Sequence, residues 1–355
     1  MLDIEFDVYC KDFSDAATLM GYGKDEVKAM LGYARRLNKQ GLPIIYDQNH
    51  LGKLVGYDYV LLLTISNCQR SFYKHYEIPK RSGGMRAIEE PLPSLKEIQT
   101  WILKNILEPA AKKHVSPVAK AFVPGKNLRE NARFHKNREK VMALDIHDFF
   151  GSIKFGEVYG VFEKLGYRED VCVMLTNLCI YRGCLPQGAP TSPMLSNLIF
   201  TDVDKKIFHY CRSRNILYTR YADDMTFSGD NLSPRRIIAY VRVVIWSKRL
   251  RLNDEKTKVM GKGMAQTVTG VVVNEKLQVP RQYRDKVRQE VYYCIKYGFK
   301  GHMENQREAG KLPSWIHTVE VYKHHLEGKI NYVLQINPKD QEFVRYRNWL
   351  KEIGR

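Results

Sequence analysis

Three aspartates in this sequence follow or interrupt strand-like segments, where carboxylates are well placed to bind metal ions. Asp145 follows the apolar residues 141–144, and Asp223 and Asp224 lie at a bend between the strand-like segments 217–221 and 225–228. If these segments share one sheet, three carboxylates meet in one pocket, and divalent cations offset their repulsion. Hard oxygen ligands suit Mg²⁺, and two ions about 3.5–4 Å apart are suited to phosphoryl transfer. The pattern indicates metal-dependent chemistry on phosphates.

The Asp223-Asp224 pair also has a purely structural explanation, because aspartate favours turns. For an isolated pair this explanation is usually sufficient. Here the flanking segments are short and largely apolar or aromatic, so two adjacent carboxylates are costly there without a cation. The context favours metal binding. Asp148 is a weaker candidate, since its position is more typical of a helix N-cap or of a surface charge.

The elements that must position these carboxylates are interleaved strands and helices, which predicts an α+β fold around a small antiparallel sheet. Residues 73–91 indicate two strands joined at Ser82-Gly83-Gly84. Ser94 and Glu97 have the spacing of a capping box that opens the next helix. Further predicted elements are a strand at 140–146, helices at 156–182 and 192–214, a hairpin at 217–228, a helix from Ser233 to about residue 249, and strands at 267–273 and 277–279 that turn at 274–276. Residues 281–355 are expected to be mostly helical.

The charge balance favours a polyanionic partner. The 355 residues include 57 Lys and Arg against 39 Asp and Glu, a formal net charge of +18. The excess is concentrated in two regions: residues 70–140 hold 16 basic and 7 acidic side chains, and residues 281–355 hold 15 and 9. Basic surfaces bind nucleic acid because neutralised phosphates release their counterions. The alternative is a basic protein whose charge only maintains solubility.

The cysteines and the apolar segments predict a cytoplasmic protein without a membrane partner. Seven cysteines form no CxxC pair and no zinc-type spacing, which is typical of free thiols in a reducing compartment. Residues 1–9 carry three acidic residues and no basic cluster, so a secretory signal is not expected. The longest apolar run, residues 59–65, is too short to span a bilayer.

Four segments resemble the motifs of reverse transcriptases, in the family's order and with compatible spacing. Residues 144–150 (Leu-Asp-Ile-His-Asp-Phe-Phe) resemble the first palm motif, and Tyr221-Ala-Asp-Asp224 resembles the YxDD box. Residues 185–193 (Leu-Pro-Gln-Gly-Ala-Pro-Thr-Ser-Pro) are similar to a loop that contacts template and nucleotide in bacterial members. Residues 252–258 resemble the fourth motif. The resemblance covers about residues 70–280.

Two further segments resemble signatures of the retron reverse transcriptases. Residues 131–135 (Asn-Ala-Arg-Phe-His) resemble the NAxxH signature, and residues 268–270 (Val-Thr-Gly) resemble the VTG signature. Each could occur by chance, but both stand in their expected places. Other bacterial reverse transcriptases, a ribonucleoprotein scaffold without synthesis and an RNA-dependent RNA polymerase are the alternatives.

The resemblance implies a right-hand polymerase. Its expected parts are an N-terminal helical region at 1–68, fingers at 69–142 and 166–200, a palm at 143–165 and 201–280, and a thumb at 281–355. It also implies that Asp145, Asp223, Asp224 and the carbonyl of Ile146 bind two Mg²⁺ ions, for which Mn²⁺ is a possible substitute.

The resemblance further implies contacts with the incoming dNTP. Lys80 and Arg86 match positions that hold the triphosphate, although an exposed basic hairpin touching template phosphates is the alternative. Phe150 matches an aromatic floor under the sugar that excludes a 2′-hydroxyl, or else it packs in the core beside Phe149. Gln187 could hydrogen-bond nucleotide or template, and Lys256 either protonates pyrophosphate or is a solvated lysine.

Other residues are expected to contact nucleic acid. Asn131 and His135 either bind RNA or brace the fold, and Thr269 and Gly270 are expected to help hold the primer terminus. Tyr292 and Tyr293 are candidates for stacking on bases, while most aromatic residues of the basic C-terminal segment are expected in the core.

The resemblance finally implies specific partners. These are a cognate non-coding RNA that is both template and primer, its RNA-linked DNA product (msDNA) started from a 2′-hydroxyl, and a separate effector protein acting in defence against phage.

Overall fold

The computed structural model describes residues 3–79 and 83–353. Lys80, Arg81 and Ser82, and with them part of the predicted hairpin turn, lie outside the described residues. The chain divides into two compact units. The first comprises residues 1–123, 145–209 and 237–253, and the second comprises residues 124–144, 210–236 and 254–355.

Helices dominate the described chain. They are α1 (Asp3–Leu19), α2 (Lys24–Gln40), α3 (Gln48–Val55), α4 (Tyr59–Asn67), α5 (Pro93–Ile102), α6 (Glu108–His114), α7 (Leu128–Arg133), α8 (Phe149–Ser152), α9 (Phe155–Lys164), α10 (Glu169–Cys179), α11 (Ser192–Arg212), α12 (Pro234–Trp246), α13 (Arg281–Glu308), α14 (Val319–Ile336) and α15 (Gln341–Ile353). Within residues 3–79 and 83–353, none of them combines the length and the apolar character needed to cross a membrane.

The strands within residues 3–79 and 83–353 form three small sheets. They are β1 (Tyr73–Pro79), β2 (Met85–Pro91), β3 (Lys140–Ile146), β4 (Leu217–Tyr221), β5 (Asp224–Gly229), β6 (Leu252–Gly261), β7 (Thr267–Val268) and β8 (Val271–Val272). Strands β1 and β2 pair with each other, as do β7 and β8, and the remaining four form one sheet in the order β4-β5-β3-β6. The prediction that the Asp145 strand and the 217–228 hairpin share a sheet is therefore confirmed.

The β1–β2 hairpin confirms the two strands predicted at 73–91. The strands are antiparallel, with Ile78 opposite Arg86. Gly83 and Gly84 both have positive φ values, of 87° and 78°, a conformation that glycine adopts without the steric cost paid by other residues.

Helix α5 follows this hairpin, but its predicted capping box is wrong. The helix begins at Pro93, directly after the cap residue Leu92, which makes no side-chain cap bond. Proline is well suited to the first helical position because it has no N–H to leave unsatisfied. Glu97 instead accepts a hydrogen bond of 2.6 Å from the Tyr57 hydroxyl. Leu95 and Ile98 on this helix are buried in the core of the first unit.

The second unit has a core of its own, to which helices α13, α14 and α15 and the β7–β8 pair all contribute buried residues. Val268, Val291, Leu326 and Phe343 are among its fully buried members. Burial of such side chains stabilises the fold by about 1.5–3 kcal/mol each. The helical character predicted for residues 281–355 is confirmed.

The strand predicted at 267–273 is wrong as a continuous element. The chain reverses at Thr269 and Gly270, so that Val268 pairs with Val271. Both turn residues have positive φ values, of 46° and 83°, which is the geometry of a two-residue hairpin turn. Residues 277–279 contribute only one bridge, between Val272 and Gln278.

Candidate active site

Three carboxylates converge on the four-stranded sheet. One ligand oxygen from each of Asp145, Asp223 and Asp224 lies within 4.8 Å of the others, and this is the one metal-capable group of His, Cys, Asp and Glu residues found within 3–79 and 83–353. Asp145 is buried, and the other two are half-buried. Carboxylates brought this close repel one another unless a cation lies between them. Three hard oxygen donors therefore fit a divalent metal ion, and none of the three is placed as a surface charge.

Asp145 is positioned by the apolar strand β3. Val141, Met142 and Leu144 are each no more than 1% exposed, so packing fixes the strand that carries the carboxylate. Directly after the strand, the backbone N–H of His147 donates to the Arg251 carbonyl over 2.9 Å. The strand end is thus held on both sides of Asp145.

Asp223 and Asp224 are positioned by the β4–β5 hairpin. Tyr221 pairs with Asp224, which leaves Ala222 and Asp223 as a two-residue turn. Ala222 has a φ of 58°, a conformation that L-residues other than glycine and asparagine rarely adopt. Backbone strain of this kind is kept only where the surroundings enforce it, and it is often found at functional sites.

A buried arginine supports this turn. Arg220 is 0% exposed, and its guanidinium donates a hydrogen bond of 3.0 Å to the Ala222 carbonyl. Sequence reasoning missed this residue. The signal was present, because an arginine within a largely apolar strand beside an acidic pair must have a structural or electrostatic partner.

Asn131 and His135 are fully buried, at 0% exposure, and both contact the hairpin. His135 contacts a side chain on each strand. Its Nδ1 is 2.8 Å from the Ser228 hydroxyl, and its Nε2 is 2.7 Å from the Thr219 hydroxyl. The Thr219 hydroxyl donates to the Asn131 side-chain oxygen over 2.6 Å.

The VTG segment joins the same set of contacts. The Asn131 amide donates to the Thr269 hydroxyl over 3.3 Å. Thr269 is half-buried in the β7–β8 turn, and Gly270 beside it is exposed.

The 185–193 loop packs against strand β2. The Glu89 backbone N–H donates to the Gln187 carbonyl over 2.8 Å. A Cβ on Gly188 would lie 2.7 Å from the Glu89 carbonyl oxygen, so a side chain there would collide with backbone. The loop backbone at Gly188 therefore approaches the Glu89 backbone closely. Burial raises the pKa of the Glu89 carboxyl, which His75 and Arg182 partly oppose. The Gln187 side chain itself is half-buried.

Phe149 and Phe150 point to different environments. Phe149 is buried at 4% exposure and meets Phe200 edge-on, with 5.1 Å between the ring centroids. Phe150 is only half-buried, so Phe149 is the member of the pair that occupies the core.

The other candidate contacts are distributed over the surface. Arg86 on β2, Lys256 on β6 and Asp148 are exposed. Asp148 has a φ of 42° at the start of α8 and is not a member of the carboxylate group above.

Tyr293 and Tyr297 of the second unit line a cavity of about 990 Å³. Tyr292 is 56% exposed and Tyr297 58% exposed, with the Lys296 amine 5.1 Å from the Tyr297 ring centroid. Tyr293 is half-buried and stacks on Tyr297 with 6.1 Å between the centroids. These rings lie next to basic side chains, as is typical of surfaces that bind single-stranded nucleic acid.

Comparison with known proteins bears on this site. Residues 78–288 match the family described as reverse transcriptase (RNA-dependent DNA polymerase). The Retron Ec86 reverse transcriptase of Escherichia coli is 32% identical over 73% of this chain and 82% of its own length. The Retron Mx65 reverse transcriptase of Myxococcus xanthus is 33% identical over 88% of this chain and 73% of its own. A telomerase structure from Candida tropicalis covers 63% of this chain and 61% of its own at 12% identity, and its TM-score of 0.43 carries no weight here.

The family match includes Asp145, Asp223 and Asp224 and more than half of the chain. The two retron enzymes extend the similarity over most of its length. The chain therefore belongs to the reverse transcriptase family, and within it to the retron reverse transcriptases, which are RNA-directed DNA polymerases that depend on a metal ion.

Proposed function

We propose that this enzyme copies one cognate structured RNA into DNA that remains joined to that RNA, with Mg²⁺ bound by Asp145, Asp223, Asp224 and the Ile146 carbonyl. The observation that carries the catalytic part is the convergence of the three carboxylates within 4.8 Å. When bound, the divalent cations neutralise charge on the phosphates and hold the oxygens that attack and leave. The two strands supply rigidity, so that the carboxylates need not reorganise during the reaction.

We assign contacts with the incoming dNTP to Lys80, Arg86, Phe150, Gln187 and Lys256. Lys80 and Arg86 are proposed to neutralise the triphosphate. The half-exposed Phe150 ring lies under the sugar, and Gln187 hydrogen-bonds nucleotide or template. Lys256 donates a proton to the departing pyrophosphate. Arg86 and Lys256 are exposed and Phe150 is half-buried, so each side chain keeps surface that a ligand can contact, which supports these roles.

The RNA is assigned two roles, template and primer, with synthesis starting from one of its 2′-hydroxyls. The names of the relatives support this proposal, since they are enzymes of retrons. The net charge of +18 supports a tightly held polyanion. We further propose that the complex of protein, RNA and DNA acts with a separate effector protein in defence against phage.

The test of this proposal is the product itself. We expect the protein, purified from cells that carry its native locus, to contain a short single-stranded DNA that is linked to RNA. RNase treatment followed by 5′-end analysis of the DNA should leave a residual branched ribonucleotide. An unlinked DNA, or cDNA copied from many cellular RNAs, would contradict the cognate-RNA proposal while leaving the polymerase assignment intact.

The exposed aromatic residues of the second unit give a separate prediction. We expect Tyr292→Ala combined with Tyr297→Ala to weaken RNA binding, because each base that stacks on a ring contributes roughly 1–3 kcal/mol. Filter binding with the cognate RNA should show a Kd about 30-fold higher or more, since two rings contribute at least about 2 kcal/mol together. Tyr22→Ala is the matched control, since Tyr22 is 47% exposed in the first unit. Equal losses in both proteins would contradict a specific role for these two rings.

A further inference from the structure

Five polar side chains of the second unit form one continuous chain of hydrogen bonds. In order they are Ser228, His135, Thr219, Asn131 and Thr269. They come from strand β5, the end of the NAxxH segment, strand β4, helix α7 and the VTG turn. The two retron signatures and the hairpin that carries Asp223 and Asp224 are therefore parts of one polar network.

All hydrogen bonds along this network run in one direction, with donation from the Ser228 end towards Thr269. With the Asn131 amide oriented as in the structure, the Thr219 hydroxyl donates to the Asn131 oxygen and has no second proton to give. His135 Nε2 must then carry the hydrogen and donate to Thr219, which makes Nδ1 of a neutral imidazole the acceptor of the Ser228 hydroxyl. Each side chain donates a hydrogen bond to the next one. Removing one hydroxyl therefore takes a hydrogen-bond partner away from a buried group on each side of it.

Burial separates four of the five members of this network from any ligand. Asn131, His135 and Ser228 are 0% exposed, and Thr219 is 3% exposed. A side chain without solvent-accessible surface offers nothing to an RNA in this conformation. The bracing alternative for Asn131 and His135 is therefore the one that the contacts support.

The network is hydrogen-bonded to the β4–β5 hairpin close to the carboxylates of the hairpin. Residues directly opposite in an antiparallel pair share a face, and the register places Thr219 opposite Thr226 and Tyr221 opposite Asp224. Since side chains alternate along a strand, Thr219 and Ser228 lie on the same face as Asp224. His135 thus ties the two strands together on that face, a few residues from the turn.

The far end of the network is held by strained backbone. Thr269 is β-branched and has a φ of 46°, which such residues adopt only when the surroundings require it. The conformation directs its hydroxyl to the Asn131 amide. A glycine would turn the chain more easily but would give Asn131 no acceptor.

We propose that Asn131, His135, Thr219 and Thr269 are positioning residues, which act through the β4–β5 hairpin to hold Asp223 and Asp224 against Asp145. This rests on the assignment of the three carboxylates to the catalytic metals. A displacement of about 1 Å at reacting groups costs up to roughly 100-fold in rate. The network therefore governs the rate constant and the affinity for the metal, whereas RNA affinity depends on other surfaces.

Thr219→Val is the sharpest test, because it removes one hydroxyl at nearly constant shape and favours a strand. We expect kcat to fall about tenfold at saturating RNA and dNTP, with RNA Kd unchanged. Mn²⁺ binding to the full chain, followed by electron paramagnetic resonance of free Mn²⁺, should weaken several-fold. Thr219→Ser keeps the hydroxyl and should restore both values. Thr226→Val is the matched control, since Thr226 is opposite Thr219, 2% exposed and outside the network.

Three outcomes would overturn the proposal. The first is a Thr219→Val protein with wild-type kcat and Mn²⁺ affinity. The second is a higher RNA Kd with unchanged kcat, which would assign the network to RNA recognition. The third is an equal loss in Thr226→Val, which would indicate a general defect of the hairpin. If instead the Asp223→Asn, Asp224→Asn protein still made DNA, the carboxylate assignment would fail, whatever Thr219→Val did.

Discussion

DNA synthesis should be lost, and RNA binding retained, when Asp223→Asn and Asp224→Asn are combined. Asparagine keeps the size and the hairpin geometry of each side chain but removes two of the three negative charges that the metal ions require. Metal ions stabilise the transition state of phosphoryl transfer by several kcal/mol, so a rate loss on the order of 1000-fold or more is expected. Primer extension on purified RNA measures the rate, and filter binding measures the affinity for RNA.

A matched control for this double variant is Asp230→Asn. Asp230 follows strand β5, is exposed and accepts a hydrogen bond of 3.5 Å from the Glu139 backbone, so it shares the hairpin without reaching the cluster. It should retain synthesis. DNA made by the double variant would refute the metal site, and joint loss of synthesis and RNA binding would indicate unfolding.

The carboxylate site could be predicted because its signals are local. The run of apolar residues before Asp145 is typical of a buried strand. The Asp223-Asp224 bend lies between two segments with strand composition. Once both segments belong to one sheet, the meeting of the carboxylates follows from strand geometry alone.

The network around His135 could not be predicted in the same way. Its bonds join residues that are 84 to 138 positions apart in the chain, and serine and threonine within strands carry no signal of their partners. The turn at Thr269 was missed for a related reason. A β-branched residue favours extended backbone locally, and here tertiary contacts override that preference.

The tertiary structure also identifies the partners of two residues, Gly188 and Arg220. Gly188 lies in the motif similar to a loop that contacts template and nucleotide, but only the fold identifies the Glu89 carbonyl as the close neighbour of its backbone. The position of Arg220 in a largely apolar strand indicates a buried partner, but only the fold identifies that partner as the Ala222 carbonyl. Both residues support elements that carry candidate contacts, although neither is a ligand candidate itself.

The adjacent rings Phe149 and Phe150 illustrate how packing resolves a question that the sequence leaves open. One of the two had to face the core, and the edge-on contact with Phe200 identifies it as Phe149. The core therefore leaves Phe150 half-buried, four residues after strand β3 ends at Ile146. We propose that this ring limits the room for a ribose 2′-hydroxyl, which is the physical basis that we expect for preferring dNTP.

Phe150→Val should therefore admit ribonucleotides. Removing the ring opens space for a 2′-hydroxyl, and discrimination by steric exclusion in a pocket changes by roughly 10- to 200-fold for small changes in volume. We expect the ratio of kcat/KM for dNTP over rNTP to fall about 100-fold, mainly through faster rNTP incorporation.

The control for this variant is Phe155→Val, since Phe155 is also half-buried in the first unit and stacks on Tyr159. It should keep the wild-type ratio. An unchanged ratio in Phe150→Val would place the ring in the core instead of under the sugar. A fall in dNTP use without a gain in rNTP use would mean that Phe150 supports the Asp145 strand and does not exclude the 2′-hydroxyl. The two kcat/KM values, measured separately, distinguish these cases because only a steric gate predicts that one of them rises.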